Sequence, residues 1–329
     1  MIDITAELRE ALGPRKVLTS LEDRIAYSYD GTFEQSLPDA TVLPESTEDI
    51  VAVVRLAGEH DVPIVPRGMG SGLAAASVPF GGGIVLSLTR MNRILEIDEE
   101  NRTARVEAGV ITVDLEAAVE ELGLFYPPDP SSNEQSTIGG NIACNAGGPR
   151  CLKYGVTGDY VMGLTVVLAD GQVLQTGNKA IKNVVGYDLT ALFVGSEGTL
   201  GVITEALLRL TAKPQYVRTA RAEFPALEDA SRTVNAMLRT GVVPATLELM
   251  DETAITCIEE AMELGLSLDV EAMLIIETDG SDEDAVRREI ETADRVCREN
   301  GAREVIIART EEERDQLWRA RRSVSPSLA

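Results

Sequence analysis

Three short glycine-rich segments dominate the first two thirds of this 329-residue chain and limit what it can fold into. They lie at 66–73, 136–148 and 194–204, and most of the 28 glycines precede Pro214. Glycine allows a backbone to approach a ligand closely and to adopt positive φ angles. We therefore expect the first part of the chain to bind its ligand mainly through the backbone.

The first segment, Pro66–Leu73, follows a predicted strand directly and has glycines at 68, 70 and 72. Alternating glycines let successive N–H groups point into one concavity suited to phosphate oxygens, although an ordinary glycine-rich turn is the alternative. A Rossmann fingerprint needs a helix and then an acidic residue about 20 positions on. The next predicted strand, Ile84–Leu88, lacks that acid, and no Gly-Lys-Ser/Thr of a P-loop follows. If phosphate binds here, the fold is therefore neither a Rossmann fold nor a P-loop fold.

The second and third segments combine small and polar residues with little side-chain bulk. Ser136–Gly148 carries two hydroxyls, two amides and four glycines after the run Pro127–Ser132, and Val194–Thr204 precedes a strand. Such a strip could lie along an elongated polar ligand, whereas a set of tight loops is the purely structural alternative.

The hydrophobic pattern predicts mixed helix and sheet, with a change of character after Pro214. Before it, residues 46–66 are interpreted as a helix and then a strand, and 161–176 as a hairpin in which Asp170-Gly171 supplies the positive φ angles. After it come fourteen arginines and no lysine. There we predict strands at 216–224, 242–250, 272–278 and 303–308 alternating with helices at 226–240, 252–264, 283–300 and 310–322. This alternation indicates one sheet with a helical face, either α+β or βαβ.

Composition excludes several classes of function. A net charge of −24 opposes long-range attraction to nucleic acid or to an anionic lipid surface. Four cysteines without regular spacing, and a single histidine placed near a predicted helix end, disfavour a zinc site, an iron–sulfur cluster or a histidine base within the chain, so no metal is predicted. No stretch is apolar enough to span a membrane and no signal peptide is visible, so we expect a cytoplasmic protein.

The motifs together resemble the FAD-linked oxidase family, which has the vanillyl-alcohol-oxidase fold. The resemblance rests on the three glycine segments, Pro127–Ser132, the continuation Pro149–Gly155 and Lys182–Asp188, in order and at family spacing. The branch it resembles contains the glycolate oxidase FAD-binding subunit and the D-lactate and D-2-hydroxyglutarate dehydrogenases. The implied fold is α+β: a PCMH-type FAD-binding domain of two α+β subdomains over 1–214, followed by an α+β cap domain over 215–329.

The resemblance implies FAD as cofactor and assigns it a set of contacts. The backbone of the first segment would bind the pyrophosphate through Arg67, Gly68, Met69, Gly70, Ser71, Gly72 and Leu73. The dinucleotide would be lined by Pro130, Ser136, Thr137, Gly139, Gly140, Asn141, Ala143, Ala146 and Gly147, and its adenine end by Gly201 and Ile203. Because the first loop has no histidine for a covalent link, we expect FAD to be bound non-covalently.

The implied chemistry is oxidation of a small D-2-hydroxy acid, with hydride transferred from the α-carbon to flavin N5. Arg321 and Ser325, four residues apart, match family positions that contact the acid, and a planar guanidinium suits a carboxylate. A solvated arginine-rich helix is the alternative. Lys182 and Asn183 are weaker candidates near the flavin, since their motif could serve mainly structure. The catalytic residues stay unassigned.

The C-terminus departs from the family pattern. Relatives continue beyond the position of Ala329 with a segment that completes the cap and carries the histidine-containing metal site and general base, so the cap over 215–329 is expected to be incomplete. A flavin-binding subunit without turnover of its own is therefore the alternative function. The implied partners are the 2-hydroxy acid, an iron–sulfur or flavoprotein subunit that accepts electrons and could hold the chain at the inner membrane face, and a second copy of the chain.

Overall fold

The computed structural model describes residues 4–322, apart from the side chains of Ala320 and Arg322. The strands are β1 (Val17–Leu18), β2 (Ala40–Val42), β3 (Ile64–Arg67), β4 (Ile84–Ser87), β5 (Ile94–Asp98), β6 (Thr103–Glu107), β7 (Leu124–Phe125), β8 (Val161–Val167), β9 (Val173–Gly177), β10 (Val202–Arg209), β11 (Thr211–Ala212), β12 (Tyr216–Phe224), β13 (Thr246–Asp251), β14 (Ala272–Gly280) and β15 (Glu304–Ile307). The helices are α1 (Ile4–Leu12), α2 (Leu21–Ala26), α3 (Thr47–Glu59), α4 (Thr112–Glu120), α5 (Ile138–Cys144), α6 (Cys151–Tyr154), α7 (Leu189–Phe193), α8 (Leu227–Arg239), α9 (Glu252–Met262), α10 (Glu283–Glu299) and α11 (Glu311–Arg322).

The chain divides into two compact units. The first comprises the described residues up to Gly147 together with Val156–Ala212, and the second comprises Gly148–Gly155 together with the described residues from Lys213 onward. A short segment that carries α6 therefore belongs with the C-terminal part of the chain.

The first unit contains two main sheets. One has the order β1-β2-β4-β3, with β2, β4 and β3 parallel, and the other is antiparallel with the order β5-β6-β10-β8-β9. Helix α3 begins after Ser46, whose hydroxyl accepts a hydrogen bond from the amide of Asp49, and it buries Ile50, Val53 and Val54. The buried cluster around α3 includes residues of both sheets, so the two subdomains of this unit share a core.

The hairpin between β8 and β9 differs from the prediction at its turn. Gly171 has a φ of 75°, but Asp170 is not among the residues with positive φ. The amide of Gly171 donates to the carbonyl of Leu168, and the amide of Leu168 donates to the carbonyl of Gln172. The connection is therefore a three-residue loop with glycine as its last, left-handed residue, and not the two-residue turn that we expected.

The second unit is one antiparallel sheet, β13-β14-β12-β15, with helices packed on it. One face of the sheet meets α8 and α10 across an apolar cluster that includes Phe224, Leu274 and Ile276. Antiparallel pairing throughout settles the open choice in favour of α+β. The predicted strands and helices of this part agree with the structure to within a few residues, because its amphipathic patterns are regular.

Candidate functional site

The loop that follows β3 presents a run of seven consecutive backbone amides, those of 68–74. Among the described residues, none of the N–H groups of 68–74 donates to another group. Backbone donors that are neither in secondary structure nor paired elsewhere need solvent or a ligand. The loop is thus a preformed array of donors suited to an anion.

Glycine is required in this loop for reasons of space. A Cβ on Gly68 would lie 2.2 Å from the hydroxyl oxygen of Thr137, and one on Gly70 would lie 2.1 Å from the guanidinium of Arg67. Gly70 also has a φ of 75°, which other residues rarely adopt. The loop therefore lies directly against both the second glycine segment and the arginine that precedes it.

Arg67 is a buried cation beneath the loop. Its Nη1 donates to the carbonyl of Tyr29, its Nη2 donates to the carbonyl of Met69 at 3.5 Å, and its guanidinium lies 5.8 Å from the ring centre of Tyr27. Burial lowers the pKa of Arg67, and the carboxylate of Asp30 opposes that change. The side chain thus supports the loop from below.

The second glycine segment is a short helix, α5, and not an extended strip. Thr137 caps it by accepting the amide of Gly140 at 3.3 Å, and the amide of Gly139 bonds to the carbonyl of Ala108 at 2.8 Å. A Cβ on Gly139 would lie 2.6 Å from that of Ala108. These glycines allow the helix to pack closely on the backbone before α4.

The third segment is held against α5 by backbone hydrogen bonds. Gly195 donates to the carbonyl of Ile142 at 3.0 Å, and Glu197 donates to that of Ala143 at 2.9 Å. A Cβ on Gly201 would lie 2.7 Å from Val166. The three segments, far apart in sequence, therefore meet in the first unit.

Together they line one cleft of about 1040 Å³, its open mouth included. Its wall consists of Asp30, Pro66, Arg67, Gly68, Met69, Gly70, Ser71, Gly72, Ala74, Ala76, Ser77, Leu88, Pro130, Ser132, Ser136, Thr137, Gly139, Gly140, Asn141, Ala143, Cys144, Ala146, Glu197, Gly198, Gly201 and Ile203. A cleft of this size, with polar backbone and few bulky side chains, suits an elongated ligand that carries phosphate.

The second unit contains a polar group of side chains built around two acidic residues of its sheet. The carboxylate of Glu248 accepts the Nε of Arg321. The carboxylate of Glu277 accepts the Thr219 hydroxyl at 2.7 Å and the Trp318 indole at 2.9 Å. Helix α11 is thereby tied to β13 and β14. Among the described residues, the Nη atoms of Arg321 have no hydrogen-bond partner.

A second buried carboxylate of the same unit ties α6 to the sheet. Asp279 accepts the Lys153 ammonium and, at 2.6 Å, the Tyr154 hydroxyl, and Lys153 also donates to the Asp279 carbonyl at 2.6 Å. These contacts explain why Gly148–Gly155 belongs to the second unit.

Sequence comparison identifies the family. The pattern of the FAD binding domain matches residues 38–177, and that of the C-terminal domain of FAD linked oxidases matches residues 213–329. Glycolate oxidase subunit GlcD of Bacillus subtilis is 48% identical over 99% of this chain and 70% of its own length. The chain belongs to the FAD-linked oxidase family. FAD is its cofactor.

Other relatives agree with this assignment. The D-lactate dehydrogenase of Anaerostipes hadrus is 36% identical over 97% of the oxidase chain and 69% of its own. The solved structure of p-cresol methylhydroxylase superposes with a TM-score of 0.81 at 20% identity, over 95% of this chain and 68% of that one, and shows the PCMH-type fold. The oxidase chain spans between 64% and 70% of the length of such curated relatives.

The structure brings most of the predicted FAD contacts of this oxidase to the cleft. Leu73 and Gly147 are the two predicted residues that do not line it, and Leu73 is largely exposed. Asn141 lines the cleft, but its side-chain amide donates to the Thr112 hydroxyl oxygen at 2.7 Å in a buried network, so it holds α5 in place. Asp30 and Ser77 also line the cleft, and no feature of the glycine pattern pointed to them; Glu197 lines it as well, from within the third glycine segment.

The weaker candidates lie outside this cleft. Lys182 and Asn183 are exposed in the loop between β9 and α7, and Asn183 lines a separate groove of the first unit. The same loop exposes Ile181, Val185 and Tyr187 almost completely. Ser325 lies outside the described residues, so its placement beside Arg321 stays a prediction.

Other kinds of site are not found in the described part of the oxidase. Residues 4–322 contain no cluster of three or more His, Cys, Asp or Glu side chains arranged to hold a metal ion. Over the same range, no helix is both long and apolar enough to cross a membrane. Cys144 lines the cleft as a free thiol whose pKa is raised by burial and by Glu197.

Proposed function

We propose that this chain binds FAD non-covalently along the cleft of its first unit and takes part in oxidising a small D-2-hydroxy acid, such as glycolate or D-lactate, to the 2-oxo acid. The amides of 68–74, which have no partner among the described residues, carry the proposal, because a row of free donors suits a pyrophosphate. The hydroxy-acid substrate is supported by relatives named glycolate oxidase subunit and D-lactate dehydrogenase.

The cleft fits the cofactor. Unpaired donors suit the phosphates, and glycines at 68, 70 and 139 leave no room for a side chain, so the backbone itself forms the wall. The FAD-linked oxidase holds no histidine in this wall: His60 ends α3, with its Nε2 3.0 Å from Glu7. Bound there, FAD supplies a two-electron acceptor for the hydride on the substrate's α-carbon.

Arg321 is the proposed anchor for the substrate carboxylate, with Ser325 as its neighbour. Glu248 fixes the guanidinium through Nε, which leaves the two Nη groups for a bidentate contact with a carboxylate.

Lys182 and Asn183 remain proposed contacts near the flavin. Electrons are proposed to leave through a non-nicotinamide acceptor, an iron–sulfur or flavoprotein subunit.

Flavin absorbance tests this function directly. Purified protein reconstituted with FAD is mixed anaerobically with glycolate, D-lactate and D-2-hydroxyglutarate, and L-lactate serves as a control of equal charge and size. Bleaching by a D-acid or glycolate, but not by L-lactate, is the expected result. A yellow protein that none of them bleaches identifies a flavin-binding subunit without turnover of its own. A protein that takes up no FAD contradicts the whole proposal.

A further inference from the structure

A short segment between α2 and β2, residues 28–32, contacts the glycine-rich loop and its continuation to Ser77 at three places. The carbonyl of Tyr29 accepts Nη1 of Arg67, at the start of the loop. The amide of Gly31 donates to the carbonyl of Gly72 at 3.1 Å, at its middle. The carboxylate of Asp30 accepts the hydroxyl of Ser77 at 3.3 Å, at its far end.

The segment also has hydrogen bonds of its own. Oδ1 of Asp30 accepts both the amide of Thr32 at 2.9 Å and its hydroxyl at 2.7 Å, and Asp30 is only 7% exposed. A Cβ on Gly31 would lie 2.8 Å from the carbonyl oxygen of Gly72. The two backbones are therefore in direct contact, and each constrains the position of the other.

The charge of Asp30 is unexpected in this place. Its carboxylate lines a cleft whose loop offers donors to an anion, and like charges repel. The buried guanidinium of Arg67 is close enough for Asp30 to affect its pKa. A carboxylate here opposes phosphate binding by its charge alone, so its favourable contribution has to come from the hydrogen bonds that it accepts.

We propose that residues 28–32 form a latch that holds the glycine-rich loop in its FAD-binding conformation, with Asp30 as the positioning residue. This inference rests on the proposed FAD site. The latch fixes both ends of a loop that makes no backbone hydrogen bond through the amides of 68–74 among the described residues. Preorganising the donors reduces the cost of ordering them when FAD binds.

The affinity for FAD of Asp30→Asn tests the latch, because the two interpretations predict opposite signs. If only charge matters, removing the carboxylate tightens FAD binding. If Asp30 holds the loop, the dissociation constant rises about ten-fold, since hydrogen bonds to a charged acceptor are lost. The measurement is quenching of flavin fluorescence on titration into apoprotein, together with the thermal unfolding midpoint of each variant.

Asp39→Asn is the matched control. Its carboxylate accepts the amide of Gly83 at 2.8 Å in another glycine-rich turn of the first unit, and it does not line the cleft. We expect this variant to change stability without changing FAD affinity. Ser77→Ala should weaken FAD binding about three-fold, and the double variant with Asp30→Asn should bind no more weakly than Asp30→Asn alone, because both changes remove the same contact.

Each outcome separates the two proposals. Wild-type protein that binds no FAD contradicts the FAD site itself. Wild-type protein that binds FAD, together with a folded Asp30→Asn variant whose affinity is unchanged or tighter, overturns the latch alone. Effects of Asp30→Asn and Ser77→Ala that multiply in the double variant also overturn it, because independent sites would then be responsible.

Discussion

The two units of this oxidase use different parts of the polypeptide to form their polar sites. In the first unit, the cleft is walled by glycines and presents unpaired backbone amides. In the second, the buried carboxylates of Glu223, Glu277 and Asp279 and the partly buried carboxylate of Glu248 each accept hydrogen bonds from cations or donors of other elements. A backbone site is sensitive to a side chain added where the glycine is in close contact, as at Gly68 and Gly70, whereas a network of side chains is sensitive to the loss of a charge.

The largest effect is expected where a charge is lost in the second unit. Glu223 is buried, accepts Ser267 at 2.8 Å and Arg303 at 3.1 Å, and pairs with Arg221 at 2.9 Å. Glu223→Ala removes the carboxylate that pairs with the mostly buried guanidinium of Arg221, so we expect a loss of about 3 kcal/mol in unfolding free energy. Urea unfolding measures it.

Asp269→Ala is the control for that change. Asp269 also pairs with Arg303, at 2.6 Å, but its side chain is 79% exposed. We expect Asp269→Ala to lower the unfolding free energy by too little to resolve, because water screens exposed ion pairs. Equal losses from both variants would contradict the idea that burial makes the Glu223 network important.

The next largest effect is expected from added bulk in the first unit. Gly68→Ala forces the Thr137 hydroxyl, which caps α5, to move away from a Cβ only 2.2 Å distant. Both glycine segments then shift, and FAD affinity should fall about a hundred-fold, which corresponds to about 2.7 kcal/mol. Fluorescence titration with FAD gives the value.

Gly58→Ala provides the corresponding control. Gly58 lies within α3, and nothing is within 4 Å of the position that its Cβ would take. This change should leave FAD affinity unaltered and stabilise the first unit by about 0.5–1 kcal/mol, because alanine is the better helix former. If both variants bind FAD equally well, the close contact at Gly68 has no role in the site.

Removal of the proposed substrate anchor should have a smaller effect on catalysis and none on cofactor binding. In a preparation that bleaches with substrate, Arg321→Ala should lower kcat/KM by about ten- to a hundred-fold, or about 1.4–2.7 kcal/mol. Arg314→Ala, in the same helix and paired with an exposed Glu311, is the control. Loss of FAD from Arg321→Ala would show that the arginine serves structure.

The smallest effect concerns pH. The Lys179 ammonium, together with donors from Asn101, holds the pKa of Asp98 well below its usual range. A depressed pKa stabilises the fold above the unfolded value of about 3.9, and this contribution is lost as pH falls below it. Thermal unfolding of Asp98→Asn should therefore vary less between pH 5 and about 2 than that of wild type; parallel curves would exclude this contribution.

The sequence predicted the secondary structure best where a pattern was long and regular. Helix α10, for example, has an apolar stripe, and the side chain of Asp282 caps its N-terminus by accepting the amide of Ala285. It was predicted to within one residue. Helix α5 was missed because its sequence, with two glycines and no amphipathic pattern, has little intrinsic helical preference. Its packing against Ala108 and its Thr137 cap stabilise it instead.

The glycine segments that line the proposed FAD cleft could be recognised in the sequence, because glycine spacing is local information along the chain. The contribution of Asp30 could not, since 37 positions separate it from Arg67 and nothing in its own neighbourhood marks it as part of a cleft. The pairing of Arg321 with Glu248 was equally invisible, because it depends on how α11 lies against β13.

The sequence by itself determined the family and the cofactor, and it located the glycine-rich loop that is proposed to bind FAD, because each of these depends on residues close together in the chain. The tertiary structure alone decided what holds that loop, which charges are neutralised and where Gly148–Gly155 belongs. These features arise from contacts between distant residues, and such contacts depend on backbone geometry that spacing along the chain does not encode.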